Sequence, residues 1–156
     1  MHTFRRKSRV KERRSDWGQV RATERDLYIL KWVGEQFAIR LDHLKSLVEW
    51  YGGEPISESN VKRLVTRWQQ AGWTEKQKLL AGKPQWLWLS KAGLETFGLD
   101  LPYWTPSIAR LNHLYHVNAV RLWVDARSKR QAVWKSERVV NQQRKDKGKK
   151  HLGRGI

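Results

Sequence analysis

The fold turns on one stretch, Ser57-Glu58-Ser59-Asn60-Val61-Lys62-Arg63-Leu64-Val65-Thr66-Arg67-Trp68-Gln69-Gln70-Ala71-Gly72. Within it Val61, Leu64, Val65 and Trp68 recur at three- and four-residue steps, which gathers them on one face of a helix. Ser57 or Ser59 can cap its start, and Gly72 suits the left-handed residue just past its end. The other side carries only polar and basic side chains: Asn60, Lys62, Arg63, Thr66, Arg67, Gln69 and Gln70. Directly afterwards the period changes to two. Trp73, Glu75, Gln77 and Leu79 share one face of a strand, and Trp86-Leu87-Trp88-Leu89 is its expected partner across the turn Ala81-Gly82-Lys83-Pro84. Ser90 then caps a short helix, Lys91 to Phe97, closed by Gly98.

Upstream, Thr23-Glu24-Arg25-Asp26 has the pattern of a capping box, and Leu27, Leu30, Val33, Gly34 and Phe37 follow at helical spacing. Asp42 is a candidate N-cap for a second helix through Leu44, Leu47, Val48 and Trp50, stopped by Tyr51-Gly52-Gly53-Glu54-Pro55. Three helices, a two-stranded hairpin and a closing helix make the order of a winged helix-turn-helix over residues 22–100. The expected class is therefore mainly α with a small β hairpin. Beyond it, Leu101 to Pro106 reads as an extended linker, and Pro106 as the N1 residue of a long helix, Ser107 to Arg127. Its apolar stripe is Ile108, Leu111, Tyr115, Asn118 and Leu122, widened by Leu114, Val117, Val120 and Val124. That width exceeds what a small winged domain needs and suggests a homodimer through 107–127. Ala132 to Val140 reads as a strand from Val133, Trp134, Val139 and Val140. Residues 101–140 thus form a linker, long helix and strand.

The chain has 156 residues, no cysteine and a formal charge of +17. Met1 to Arg14 carries +6 and Arg127 to Ile156 carries +9, leaving +2 for Ser15 to Ala126. Within that middle part, Asn60 to Lys83 holds +5, so the remainder is −3. A basic strip on a slightly acidic body, flanked by two basic ends, implies a polyanionic partner. Residues 1–21 read as a flexible arm and 141–156 as a disordered basic tail. A disulfide scaffold, a thiolate metal site and a cysteine nucleophile are all excluded by composition. No apolar run approaches the roughly 18 residues of a membrane span, and no apolar segment of a signal peptide follows the basic start. The expected setting is intracellular.

An anchored helix with a polar outer face can read the major groove. Arg63 and Arg67 lie four apart, with Asn60 and Gln70 extending their row; Arg pairs with guanine, Asn and Gln with adenine. Double-stranded DNA is the expected partner. Its expected contacts are Asn60, Lys62, Arg63, Thr66, Arg67, Gln70, the hairpin residues Lys76, Lys78 and Lys83, and Arg5, Arg6 and Lys7 of the arm. No cofactor, metal, catalytic residue or small-molecule ligand is expected. His113 and His116 lack a third metal ligand, and no Gly-Lys-Ser/Thr phosphate loop occurs. Two other readings stay open. One is an RNA- or single-strand-binding accessory protein that binds through its tryptophans and basic tails; Trp86 and Trp88 could stack on bases, although a wing strand is more often half-buried. Alternatively the chain is a protein–protein adaptor.

Several segments resemble the winged-helix half of the replication-relaxation family of bacterial plasmids, integrative elements and phages. These are Thr23-Glu24-Arg25-Asp26 with Leu27, Tyr28 and Leu30; Arg63-Leu64 with Ala71-Gly72-Trp73; and Trp88-Leu89-Ser90-Lys91-Ala92-Gly93. His113-Leu114, Val117-Asn118-Ala119-Val120-Arg121 and Trp134-Lys135-Ser136-Glu137-Arg138 resemble it further along. The resemblance spans roughly Thr23 to Arg138 and implies DNA binding linked to replication, relaxation or transcriptional control of mobile elements, in the cytoplasm of a bacterium and associated with its nucleoid. Family members usually continue with a Pro-Asp motif and a further sheet. Here Glu137 is followed by neither Pro-Asp nor Glu-x-Lys, so the chain is expected to be truncated within the second domain and to lack nuclease activity.

Overall fold

The computed structural model describes residues 21–129 and 131–152. Arg5, Arg6, Lys7 and nearly all of the expected arm therefore lie outside the described residues, as do residues 153–156 of the expected tail. Helix α1 spans Glu24–Glu35 and opens with the capping box read from sequence: Asp26 N–H donates to Thr23 Oγ1 at 3.1 Å, and Thr23 N–H donates to Asp26 Oδ2 at 3.0 Å. Its buried face is Ile29, Leu30, Trp32, Val33 and Gly34, whereas Leu27 points outward. The inward stripe is thus rotated away from Leu27, because Asp26 itself occupies the core side of the first turn. Just past the end of α1, Phe37 is a non-glycine residue at φ 73°, and the chain turns there into the two-residue strand β1, Ile39–Arg40.

Helix α2 runs Leu41–Gly52, with Arg40 rather than Asp42 at the N-cap. Asp42 instead sits in the first turn, where its carboxylate pairs with Arg40 at 2.6 Å and favours the positive end of the helix. Gly53 closes α2 in the left-handed conformation. Helix α3 spans Glu58–Gln70, capped by Ser57, which accepts from Asn60 N–H at 3.1 Å. Gly72 follows it at φ 79°, and the N–H groups of Gly72 and Trp73 return to the carbonyls of Gln69 and Trp68. That bond pair closes the helix and feeds Trp73 directly into the core.

Strands β2 (Thr74–Gln77) and β3 (Trp86–Leu89) pair antiparallel with Thr74 opposite Leu89 and Gln77 opposite Trp86. The unanticipated β1 joins the other edge of β3, giving the order β1-β3-β2. β3 is therefore central and buried on both faces. Leu87 and Leu89 enter the main core between α1, α2 and α3, while Trp86 and Trp88 pack on the opposite side with Ala38, Leu111 and Leu114. Helix α4, Lys91–Thr96, is capped by Ser90 and lies against Trp73.

A single 3-10 turn, Ile108–Arg110, leads into helix α5, Leu111–Ser128. Pro106 precedes that turn and does not occupy N1 of the helix. The buried positions of α5 are Leu111, Leu114, Asn118, Arg121 and Asp125, while Ile108 and Val120 are exposed. The stripe is half polar because it meets the polar end of α1. Gln36 Nε2 donates to Asn118 Oδ1 at 3.1 Å, Arg121 reaches Glu35 at 3.0 Å, and Trp32 Nε1 donates to Asp125 at 2.9 Å. Burial lowers the Arg121 pKa, and the Glu35 carboxylate opposes that shift.

The C-terminal expectations fail. No strand forms over 132–140; Val133 stands in a loop, 86% exposed, and Val139 and Val140 belong to helix α6, Glu137–Leu152. Residues 141–152, expected as disordered tail, continue that helix. β propensity yields here to local capping: Ser136 is buried and its Oγ accepts from Val139 N–H at 3.2 Å. Altogether the described residues form a mainly helical chain with one small three-stranded antiparallel sheet.

Gly93 is the most tightly enclosed of the described glycines, since a Cβ built there would lie 2.0 Å from the Trp73 carbonyl oxygen. Gly93→Ala must push α4 off the hairpin. We expect urea unfolding to show a loss of about 3 kcal/mol. Gly52→Ala, where a Cβ meets nothing within 4 Å, serves as the near-neutral control.

Candidate nucleic-acid interface

The orientation of α3 is set from beneath. Val61, Leu64, Val65 and Trp68 are all buried, as their spacing indicated. The Trp68 indole also donates to Asp26 Oδ1 at 3.0 Å, and Asp26 has 0% exposure. A buried carboxylate at the start of α1 therefore grips the last turn of α3. Rotation of α3 about its own axis would break this bond and bury polar surface.

Opposite the buried stripe, Ser59, Arg63, Thr66 and Gln70 follow one another at i, i+4, i+7 and i+11, and all four are exposed. Lys62 flanks the row on one side and Asn60 on the other, and both are exposed. Among the described residues no ion pair engages Lys62 or Arg63. This is a continuous polar face more than two helical turns long, with the free cations Lys62 and Arg63 side by side in its first half.

Arg67 differs from the rest of the expected set. Its guanidinium donates to Asp26 Oδ2 at 2.9 Å and to the Arg21 carbonyl at 2.8 Å. It is held toward α1 as the counter-charge of the buried carboxylate, and the expected Arg63–Arg67 pair does not act as one free unit. Ser59, treated from sequence only as an alternative cap, takes its place in the outward row. The signal was present: Ser59 lies four residues before Arg63, and only one of Ser57 and Ser59 could be the cap.

The hairpin lysines are divided. Lys76 lies within β2 opposite Leu87 and is half-buried, whereas Lys78 and Lys83 are exposed in the connection between β2 and β3. Trp86 and Trp88 are not a surface stacking platform, since both are buried on the α5 side of β3. His113 lies 3.7 Å from Glu137, and His116 is exposed without converging on it. Among the described residues no group of three or more His, Asp or Glu side chains could hold a metal ion. No helix among them is long and apolar enough to cross a membrane. Comparison with family models, curated proteins and solved structures finds no match to this chain.

Asp26→Ala strands the Trp68 indole and the Arg67 guanidinium together, and is expected to cost about 3 kcal/mol in chemical unfolding. Arg63→Ala, at an exposed site, is expected to stay within about 0.5 kcal/mol of the parent. Equal losses for the two substitutions would show that Asp26 does not hold the α1–α3 junction.

Proposed function

We propose that the chain binds double-stranded DNA through a winged helix-turn-helix, with α2 and α3 as the helix pair and the β2–β3 hairpin as the wing. The observation that carries this reading is the outward row Ser59, Arg63, Thr66 and Gln70 on a helix anchored by its opposite face. The order α1-β1-α2-α3-β2-β3 supports it, because the β2–β3 hairpin follows α3 directly in the chain, where a wing beside the reading helix has to stand. In this reading Arg63 and Gln70 meet base edges in the major groove. Asn60, Lys62 and Thr66 fix the helix on the backbone, and Lys78 and Lys83 touch phosphates beside the groove. Arg67 is a positioning residue that holds the helix on Asp26.

The residues resembling the replication-relaxation family suggest the setting: control of replication or transcription of a plasmid or other mobile element in a bacterial cell. No catalytic role is part of the proposal; Glu137 pairs with Arg110 at 3.3 Å, and Asp146 Oδ1 accepts from Gln142 Nε2 at 3.5 Å along α6. Burial of Trp86 and Trp88 takes those two rings away from the RNA or single-strand alternative, which then rests on the basic ends of the chain. A homodimer through 107–127 would have to use Val120 and Trp123, because the inward side of α5 is already occupied by α1 and the sheet.

A duplex selected from a random pool, compared with a mixed-sequence duplex, tests the reading. Arg63→Ala should weaken the selected site by about ten- to a hundred-fold and the mixed sequence far less. An equal loss on both, measured by fluorescence anisotropy, would contradict base reading by α3.

A further inference from the structure

Helix α6 ends in a run that a solvated helix has little reason to contain. Asn141 to Lys150 holds five basic residues, one acid and no apolar side chain, and all but Gln142 are exposed. At 100° per residue, Lys145 and Lys149 fall on one side of the helix, Arg144 and Lys147 on others, and Lys150 on a further one. The charge encircles the axis.

The root of this helix is fixed. Arg138 is buried, and its guanidinium donates to the carbonyls of Gly34 at 2.7 Å and Pro102, and lies 5.2 Å over the Phe37 ring. Burial pushes the Arg138 pKa down to about 10, still well above neutrality. Glu137 is tied to Arg110, and Ser136 caps the first turn. The outer half has weak internal support by comparison. Gly148 stands mid-helix, at a cost of about 1 kcal/mol relative to Ala as a typical propensity difference. Lys145 and Lys149 are like charges four residues apart, which further disfavours the isolated helix.

We propose that α6 is a second DNA-binding element, a helix anchored at Arg138 whose outer half lies along a duplex groove between phosphates and is stabilised by them. Three features select this occupant. Charge on every side suits a helix flanked by two phosphate backbones, and the major groove admits a helix. The outer half lacks the apolar face a membrane-surface helix needs. Asn141 to Lys150 also holds no Phe, Tyr or Trp on which single-stranded bases could stack. Phosphates would screen the like charges and so favour the helical form.

This inference rests on the duplex-DNA reading but uses different residues, so the two can fail separately. The full chain and a variant combining Lys145→Gln, Lys147→Gln, Lys149→Gln and Lys150→Gln are titrated with a mixed-sequence duplex over a salt series. The slope of log affinity against log salt should fall by about 2 to 4, near 0.9 for each phosphate that the variant leaves unneutralised. Circular dichroism of the parent should show helix gained on adding the duplex, and Gly148→Ala, which meets nothing within 4 Å, should bind a few-fold tighter. An unchanged slope, an absent helical gain, or equal gain with single-stranded DNA overturns the role of α6. If the slope falls as expected while Arg63→Ala retains full preference for the selected site, α6 stands and the α3 reading falls. A parent chain that binds no duplex at low salt overturns both.

Discussion

The carboxylate of Asp26, with no exposure to solvent, accepts hydrogen bonds from Thr23 N–H, from the Trp68 indole and from Arg67. Each bond belongs to a different task. The first closes the capping box of α1, the second fixes the depth and rotation of α3, and the third supplies a counter-charge. A buried carboxylate is costly unless its oxygens are fully engaged, so these donors are mutually required. Because α3 is gripped at its last turn, its outward row is set by the core rather than by the loop that precedes it.

Alternation does comparable work in the sheet. β3 has only four residues, yet it separates two apolar clusters: leucines to one side, tryptophans to the other. The tryptophan side gives α5 a surface to dock on, and the polar end of α1 supplies Glu35, Gln36 and Trp32 to meet Arg121, Asn118 and Asp125. Gln36 Oε1 also accepts from the Trp134 indole at 2.8 Å, which holds the approach to α6. A chain of polar interactions thus links α1, α5 and the root of the basic C-terminal helix, while Trp123, 58% exposed, faces outward under Arg127.

Where apolar periodicity and local capping coincide, the sequence was legible. Thr23, Ser57 and Ser90 are caps, Gly72 is the left-handed stop, and the stripe of α3 faces inward as its spacing requires. What was hidden depended on tertiary partners. β1 has two residues, too few for any period, and exists because β3 offers it an edge. The inward side of α5 could not be found by counting apolar residues, since half of it is polar and complementary to α1. Asp26 could be read as a cap but not as the partner of Trp68 and Arg67, which are distant in the chain, so Arg67 looked free when it was not. Val139 and Val140 favoured a strand by composition; a buried Ser136 and the Arg138 anchor made a helix instead.

In the proposed function, the face of α3 held outward by Asp26 is what meets duplex DNA. The most direct measurement is a ¹⁵N NMR titration of the full chain with a selected duplex at moderate salt. The largest amide shifts are expected on Ser59, Asn60, Lys62, Arg63 and Thr66, with smaller changes near Lys78 and Lys83. Shifts that leave α3 silent and gather elsewhere, on the outer side of α5 or on α6 alone, would contradict that reading.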